Sequence, residues 1–413
     1  MRAKIKMLES TNSVALPKFF LPFFSLLAAV GPFAMDAYLP AMPLMANIFS
    51  VDMVAMNNTI PTYLVGYGIG QLFGGAISDK VGRKRMALTG LLIFILATIL
   101  IISSTTIQQI QAFRAFQALG GGMSTVVCMA VMRDVFPAHE AGRKFAIVMM
   151  IVMVAPIISP TIGSFLMDFS WQAIFVFLLI YAIFTFFCYY FFIPETRIVA
   201  DKRVDFLLIL NQFKRTILTK SEGKIIPIRY CLTTTFATTS VMIFLTNASF
   251  VYIEYFGVSP KQFSLFFGAN VVTVAFFLLI SLHLMKTIHP HKLMLVGCVL
   301  QLITMLCLVS IIWTGLESLW TIVPLLMLGI GLMGLINPNG SAVFISFYDE
   351  LSGSATALNA TLTFIVGAIL GAMTSLFFDG TLLPMAVMML VGSVLCNLAG
   401  FSIPIPKGDF KKA

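Results

Sequence analysis

Two ionisable side chains stand inside long apolar runs of this 413-residue chain, in which only 10% of residues are charged. Asp36 lies within residues 33–40, and Arg114 lies within residues 113–117. A charge at membrane depth is costly, so it marks a candidate functional site. Loss of water favours a protonated carboxyl group, whereas a neighbouring guanidinium favours the carboxylate. An acid that alternates between two such environments can take up a proton on one side of a membrane and release it on the other.

Structural roles are the alternative for both residues. Asp36 can cap or pair with backbone near Pro40 instead of carrying a proton. Arg114 does not lose its proton, so it can hold a carboxylate, organise water or bind an anionic substrate group. It can equally be a hydrogen-bonding hub for broken backbone. The residue types leave these alternatives open.

The composition identifies the elements that must position these residues. The chain is 59% hydrophobic with a mean hydropathy of +0.98, whereas soluble proteins are about 45–50% apolar and about 25% charged. This excludes a soluble globular protein, a disulfide-rich secreted module, a disordered chain and a collagen-like fibre. Unbroken apolar runs also argue against an outer-membrane barrel, whose strands alternate over ~10 residues. The remaining class is an all-α membrane protein.

Twelve runs are long enough to span a bilayer, which takes about 20 apolar residues. The first follows Arg2, Lys4 and Lys6 as in a signal peptide. It is too long for a signal sequence and contains Asp36, so we interpret it as a retained helix. The predicted spans 1 to 12 lie at 17–40, 54–78, 86–104, 107–131, 143–167, 170–193, 229–253, 262–284, 292–313, 318–346, 353–378 and 382–405.

The basic residues predict the orientation. With both termini in the cytoplasm, all but two of the 26 lysines and arginines fall in the terminal segments and cytoplasmic loops; the exceptions are Arg114 and Lys261. This is the pattern of the positive-inside rule. The net charge of +9 is therefore a topology signal, and we expect no nucleic-acid partner.

A polar segment divides the spans into six plus six. We predict an N-terminal six-helix half at 1–193, a cytoplasmic linker at 194–228 and a C-terminal six-helix half at 229–413. Two similar halves are typical of transporters with a central site between repeats. The span count alone leaves a channel or a membrane enzyme open.

The loop after span 2 resembles the signature of the major facilitator superfamily, G-x-L-x-D-[RK]-x-G-[RK]-[RK]. Its matching residues include Gly75, Asp79, Gly82, Arg83 and Lys84. Gly75 allows close helix contact, Gly82 permits the turn, and Asp79 can pair with a cation or a helix N-terminus. Such contacts can latch the two halves in one state. The resemblance implies the major facilitator fold.

Two further segments resemble the drug:proton antiporter branch of that superfamily. Arg114 and Gln117 match its span 4 element R-x-x-Q-G, with Ala118 in place of the glycine. Pro156, Pro160 and Gly163 match its span 5 motif G-P-x-x-G-P-x-x-G-G. The other glycines of that motif are replaced by the small residues Ala155, Ser159 and Ser164.

Within that branch, residues 35–43, 132–137 and 250–254 resemble the bicyclomycin and chloramphenicol resistance family. This resemblance covers nearly the whole chain. It implies a multi-pass exporter of the bacterial inner membrane that works as a monomer and exchanges a small molecule for protons. The proton gradient is then the energy source, and no cofactor is expected. In that family the span 1 acid and the span 4 arginine are associated with coupling, and we carry those roles to Asp36 and Arg114.

Residues that combine membrane depth with a polar group are the substrate-binding candidates. For each of them an interhelical hydrogen bond is the alternative role. One deep acid and few other charges favour a neutral, zwitterionic or lipophilic cargo, although Arg114 leaves an anionic metabolite or siderophore, and hence a dedicated exporter, open. The candidates are Tyr38, Tyr63, Tyr67, Gln117, Asn247, Tyr252, Asn270, Asn337 and Asn339.

Signatures of other chemistry are missing from the sequence. There is no P-loop for ATP, no HExxH motif and no Cys or His spacing typical of a metal site, so we expect neither an enzyme nor a metalloprotein. We interpret the six cysteines as small buried hydrophobic residues. We assign His283, His289 and His291 to a cytoplasmic loop without a metal. Four acids are interpreted as boundary charges: Asp168, Glu254, Glu317 and Asp379.

Overall fold

The computed structural model describes residues 20–197, 206–221, 225–348 and 352–404, and these ranges contain helices and no β-strand. Eleven helical stretches are long and apolar enough to cross a membrane. They are span 1 (Phe20–Ile48), span 3 (Arg83–Ile102), span 4 (Ile107–Val135), span 5 (Glu140–Leu166), span 6 (Trp171–Phe192), span 7 (Ile226–Tyr255), span 8 (Pro260–Leu284), span 9 (Pro290–Trp313), span 10 (Leu319–Ser346), span 11 (Gly353–Leu376) and span 12 (Leu383–Phe401).

Span 2 is the remaining predicted helix. It covers Thr59–Val81, 23 residues, which is long enough to cross the hydrocarbon core at about 1.5 Å per residue. Its glycines and polar residues make it less apolar than the other eleven. It packs along spans 4 and 11. The all-α membrane fold is therefore as predicted.

Four spans depart from regular α-helix, and the interruptions fall near the candidate residues. Span 1 leaves the α-helix after Asp36 and continues through a 3-10 turn at Leu39–Ala41. Span 5 breaks between Val152 and Ala155, where Pro156 opens the second helix without a backbone N–H to donate. Span 10 breaks at Leu332, and span 7 ends in a π-helical turn. Such interruptions leave backbone groups free to bond to side chains or ligands.

Spans 2 and 4 approach each other backbone to backbone. A Cβ atom on Gly66 would overlap the carbonyl oxygen of Ala115, and one on Gly70 would overlap that of Leu119. Larger side chains would push the two helices apart. The close approach fixes the tyrosines of span 2 relative to Arg114 of span 4.

The two predicted halves meet along spans 2 and 11 and along spans 5 and 8. We call the end of the bundle that holds the start of span 1 and the end of span 12 the terminal end, and the opposite end the distal end. At the distal end the Ser249 hydroxyl donates to Leu39 O over 2.6 Å. Lys261 Nζ lies 3.1 Å from Asp168 Oδ2 there. These contacts close the distal end.

A short helix, Phe206–Leu218, lies within the predicted linker at the terminal end. The Tyr348 hydroxyl donates to Thr216 O over 2.7 Å, which fastens this helix to the end of span 10. Span 7 begins at Ile226, slightly before the predicted boundary.

Candidate functional site

The guanidinium of Arg114 is fully buried between two aromatic rings. Its Cζ lies 4.2 Å from the ring centroid of Tyr38 and 4.2 Å from that of Tyr63. Nη1 donates to Ala34 O at 2.7 Å and to Gln117 Oε1 at 2.8 Å. Aromatic faces and carbonyl oxygens therefore replace water around the cation.

Asp36 belongs to the same cluster, because it lies between Ala34, whose O accepts from Arg114, and Tyr38, whose ring covers the guanidinium. Asp36 is 2% exposed, and its Oδ1 has no hydrogen-bond partner among the described residues. Arg114 Nε and Nη2 also have none there. No described ion pair joins the two side chains within 4.0 Å. An acid and a base with unused hydrogen-bonding capacity are thus buried together.

Backbone contacts from spans 1, 2 and 5 hold this cluster in place. A Cβ on Gly163 would overlap Ala37 O, so span 5 touches span 1 at the residue after Asp36. The Tyr63 hydroxyl donates to Gly31 O at 3.0 Å, and the Tyr38 hydroxyl is 2.6 Å from Thr59 Oγ1. The antiporter-like motif of span 5 therefore packs directly behind the acid.

Tyr67 connects the cluster to the other half of the molecule. Its ring stacks on Tyr63 with centroids 6.1 Å apart and meets Phe364 of span 11 edge-on at 4.9 Å. Gln117 extends the cluster inward, since its Nε2 donates to Thr98 Oγ1 at 2.8 Å. Four of the predicted cargo residues, Tyr38, Tyr63, Tyr67 and Gln117, are thus grouped around the predicted coupling pair.

The predicted cargo residues of the C-terminal half are not grouped around Arg114. Asn247 donates to Thr374 Oγ1 at 3.0 Å, and Asn339 donates to Ser281 Oγ at 2.7 Å. These amides bond between helices, the alternative that the sequence left open for them. Asn270 donates to its own helix at Phe266 O, and the buried Tyr252 hydroxyl has no hydrogen-bond partner in the described ranges. Asn337 also bonds between helices, to Thr238 Oγ1 at 2.8 Å, and it is only half-buried. The Oδ1 atoms of Asn270, Asn337 and Asn339 all lack a partner in the described ranges.

The loop motif after span 2 forms a charged cluster at the terminal end. Arg83 lies 2.7 Å from Asp79 and 2.7 Å from Asp134, and Arg197 lies 2.6 Å from Asp79. Gly82 has φ = +101°, a conformation that favours glycine. Asp79 thus pairs with two arginines, a cation being one of the two kinds of partner that the sequence left open for it.

The sequence reasoning missed three members of this cluster. Glu195 accepts from the backbone N–H groups of Arg83 and Lys84 at 2.8 and 3.1 Å, and so caps the start of span 3. Asp134 and Arg197 were also missed as partners. The local signal was charged residues at the end of span 4 and shortly after span 6. All these contacts lie within residues 79–197, as does the bond from Lys84 Nζ to Tyr190 O, so in this conformation they join helices of one half. A Cβ on Gly75 would meet Val126 at an ordinary 3.5 Å, so the helix contact predicted for this position does not require a glycine.

The cysteines and histidines form no metal-binding group in the described ranges. Five cysteines are buried as predicted, but Cys307 is exposed on the surface of span 9, where that prediction is wrong. An apolar thiol tolerates a lipid-facing position as well as a core position. His291 Nδ1 lies 3.0 Å from the Tyr230 hydroxyl, and burial lowers the pKa of His289, with Lys292 adding to the shift.

A bundle of this size, with a buried acid and base near its centre and two halves in contact, defines a membrane transporter. The family model described as Major Facilitator Superfamily matches residues 24–372, and the chain belongs to this superfamily. This confirms the predicted fold, and it identifies a transporter of small molecules rather than an enzyme.

Curated relatives extend over almost the full length. The chain is 26% identical to the bicyclomycin resistance protein homolog of Haemophilus influenzae over 383 residues, which is 92% of this chain and 94% of the relative. It is 29% identical to the chloramphenicol resistance protein of Pseudomonas aeruginosa, over 89% of this chain and 84% of the relative. These matches confirm the resemblance seen in the motifs. Among solved structures, a D-xylose-proton symporter is similar in fold, with a TM-score of 0.69, 14% identity, and coverage of 91% and 96%.

Proposed function

We propose that this protein exports small amphipathic, drug-like molecules across the bacterial inner membrane in exchange for protons, as a monomer. The observation that carries the proposal is the cluster in which Asp36 and Arg114 are buried together without a salt bridge. The names of the two full-length relatives support a drug as the cargo.

Orientation follows from the basic residues, which place the terminal end in the cytoplasm. The distal end is then periplasmic and closed by Ser249, Leu39 and the Asp168–Lys261 pair. The described conformation therefore corresponds to the cytoplasm-facing half of an alternating-access cycle.

In this cycle the protonation of Asp36 and the binding of cargo compete. Removal of water disfavours the ionised carboxylate, whereas the guanidinium of Arg114 stabilises it. Cargo enters from the cytoplasm while Asp36 releases its proton, and the ionised acid then bonds to the free N–H groups of Arg114. Opening of the distal end releases the cargo and lets a periplasmic proton return to Asp36. The protonated form resets the transporter.

Proton-coupled transport by purified protein in liposomes tests this proposal. Chloramphenicol and other drug-like compounds are added one at a time under an imposed pH gradient, with a pH-sensitive dye inside. Wild-type protein should couple cargo movement to proton movement, and Asp36→Asn should lower uphill export at least tenfold because its amide cannot ionise. Because the amide resembles the protonated acid, cargo binding should weaken and should no longer depend on pH.

Asp379→Asn is the matched control, since Asp379 is an exposed acid in the loop before span 12. It should transport like wild type. Uphill export by Asp36→Asn at the wild-type rate would contradict the mechanism. If proton movement is coupled to no drug but to a metabolite that the cell secretes, the cargo is a native metabolite and not a drug.

A further inference from the structure

A polar ridge crosses three helices of the C-terminal half. Asn337 Nδ2 of span 10 donates to Thr238 Oγ1 of span 7 at 2.8 Å, and Thr238 in turn donates to Thr234 O at 2.8 Å. Thr234 Oγ1 lies 3.0 Å from Asn359 Oδ1 of span 11, which also accepts from Cys231 Sγ at 3.3 Å. We call Asn337, Thr238, Thr234 and Asn359 the amide ridge.

The amide ridge lies on the side of span 7 that faces the other half. Ser249 is eleven residues beyond Thr238, or about three helical turns, and therefore projects from the same face. Its hydroxyl bonds to Leu39 of span 1. Asn337 and Asn359 come from the two helices that flank this face, spans 10 and 11. The amide ridge thus borders the space between the halves.

The amide ridge lies close to the middle of the membrane. Thr238 is twelve residues after Ile226, where span 7 begins, or about 18 Å along a helix. The hydrocarbon core is about 30 Å thick. Polar side chains at this depth normally face the bundle interior or a water-filled cavity. Asn337 and Asn359 are both partly exposed, which fits the edge of such a cavity.

Both ends of the amide ridge retain hydrogen-bonding capacity. Thr238 uses its own proton on Thr234 O, so it must accept from Asn337, and the Asn337 Oδ1 acceptor is left without a described partner. Asn359 engages its Oδ1 twice. Its Nδ2 donors have no partner in the described ranges. One buried acceptor, Asn337 Oδ1, and one pair of donors on Asn359 are therefore unpartnered in this conformation, and the amide ridge carries no formal charge.

We infer that the amide ridge is a cargo subsite that binds the neutral hydrogen-bonding part of an amphipathic molecule, such as a hydroxyl or amide group. The inference rests on the proposed export function. It separates two tasks: the charged cluster of span 1 and span 4 couples protons, and the amide ridge recognises cargo. Asn359, which the sequence analysis did not select, becomes a specificity-determining residue.

Two probes of opposite chemistry test the subsite with full-length protein. Chloramphenicol is neutral and carries hydroxyl and amide groups, whereas tetraphenylphosphonium is a cation with no hydrogen-bonding group. Equilibrium binding of each probe is measured on detergent-solubilised protein, and transport KM is measured in liposomes. Asn337→Leu and Asn359→Leu preserve approximate size but remove the amide. Each should weaken chloramphenicol binding roughly fivefold, the ratio expected for one neutral hydrogen bond, and leave phosphonium binding within about twofold.

Asn397→Leu is the matched control. It removes an amide that bonds to Cys298 O and Ser393 O between spans 9 and 12, away from the amide ridge. It should change the affinity for both probes equally or not at all. If Asn337→Leu does not fold, Asn359→Leu at the partly exposed end of the amide ridge carries the test alone.

The outcomes separate this inference from the proposed function. Selective loss of chloramphenicol binding supports the subsite even if no proton moves, in which case only the antiport mechanism fails. Equal loss of both probes, unchanged binding in both amide variants, or no binding of chloramphenicol by wild type overturns the subsite. Coupled transport of the phosphonium alone would retain the antiporter and reject the subsite.

Discussion

Arg114 remains charged inside the bundle because neighbouring groups replace its water. Two tyrosine faces at 4.2 Å cover the guanidinium plane, and two oxygens accept from Nη1. Desolvated cation–π contacts contribute about 2 kcal/mol or more. This arrangement fixes the cation but leaves Nε and Nη2 available. At the scale of one residue, the site is an immobilised positive charge next to an acid.

Tyr63 is the residue with which to test the role of the rings. Tyr63→Phe keeps the aromatic face and loses only the bond to Gly31 O, so coupled export should stay within about twofold of wild type. Tyr63→Leu removes the face and should lower export roughly fivefold or more. The measurement is the initial rate of drug-coupled proton movement, with Tm recorded for both variants. An equal loss in both would assign the effect to the hydroxyl and contradict the role of the ring.

Helix interruptions give the site its shape at the scale of elements. Pro156 begins a second helix in span 5, and Gly163 then lets that helix touch span 1 beside Asp36. Proline interrupts a helix because it lacks a backbone N–H and its ring clashes with the preceding turn. The motif therefore combines two effects: its prolines redirect the helix, and its glycine permits the contact with span 1.

Gly163→Ala should disturb this contact. The new methyl group would overlap Ala37 O, a backbone atom that can move only if span 1 moves. Overpacking of this kind costs about 1–3 kcal/mol, so Tm should fall, and displacement of Asp36 should reduce coupled export. Gly142→Ala is the control in the same span, because nothing lies within 4 Å of its added Cβ. Wild-type Tm and export in Gly163→Ala would show that the contact is dispensable.

The molecule as a whole is closed at its distal end by contacts between the halves. Lys261 and Asp168 are both more than half exposed, and such pairs contribute only about 0–1 kcal/mol. The Ser249 hydroxyl is buried and also lies 3.4 Å from Met42 Sδ. Few described polar bonds therefore cross the distal end, and they can exchange as alternating access requires.

A covalent bridge across the distal end should stop transport. Asp168→Cys and Lys261→Cys are combined in a Cys307→Ser background, since Cys307 is the one exposed native cysteine among the six. A short bismaleimide should abolish export because the halves can no longer separate there. Cargo binding from the terminal end should survive. A single-headed maleimide is the control and should leave export largely intact. Continued export by bridged protein would disprove distal opening.

The pattern of apolar runs predicted the spans well, because bilayer thickness sets the length of a membrane-spanning helix. Ten spans and Thr59–Val81 lie within about five residues of the predicted runs, whereas span 1 continues to Ile48, well beyond its predicted end at residue 40. Which face each helix turns inward was less predictable. Lipid tails are as apolar as leucine, so lipid-facing and buried positions of a span carry similar residues and show no clear stripe.

The sequence by itself determined the membrane class, the spans and the rare deep charges, since each depends on local composition measured against the bilayer. Only the tertiary structure decided which polar groups meet. Glu195 caps span 3 across 112 residues, and Asn359 reaches Thr234 across 125. It also decided that Asp36 and Arg114 share a cluster without forming a salt bridge. Such encounters depend on helix rotation and packing, which arise from side chains far apart in the chain and not from any local pattern.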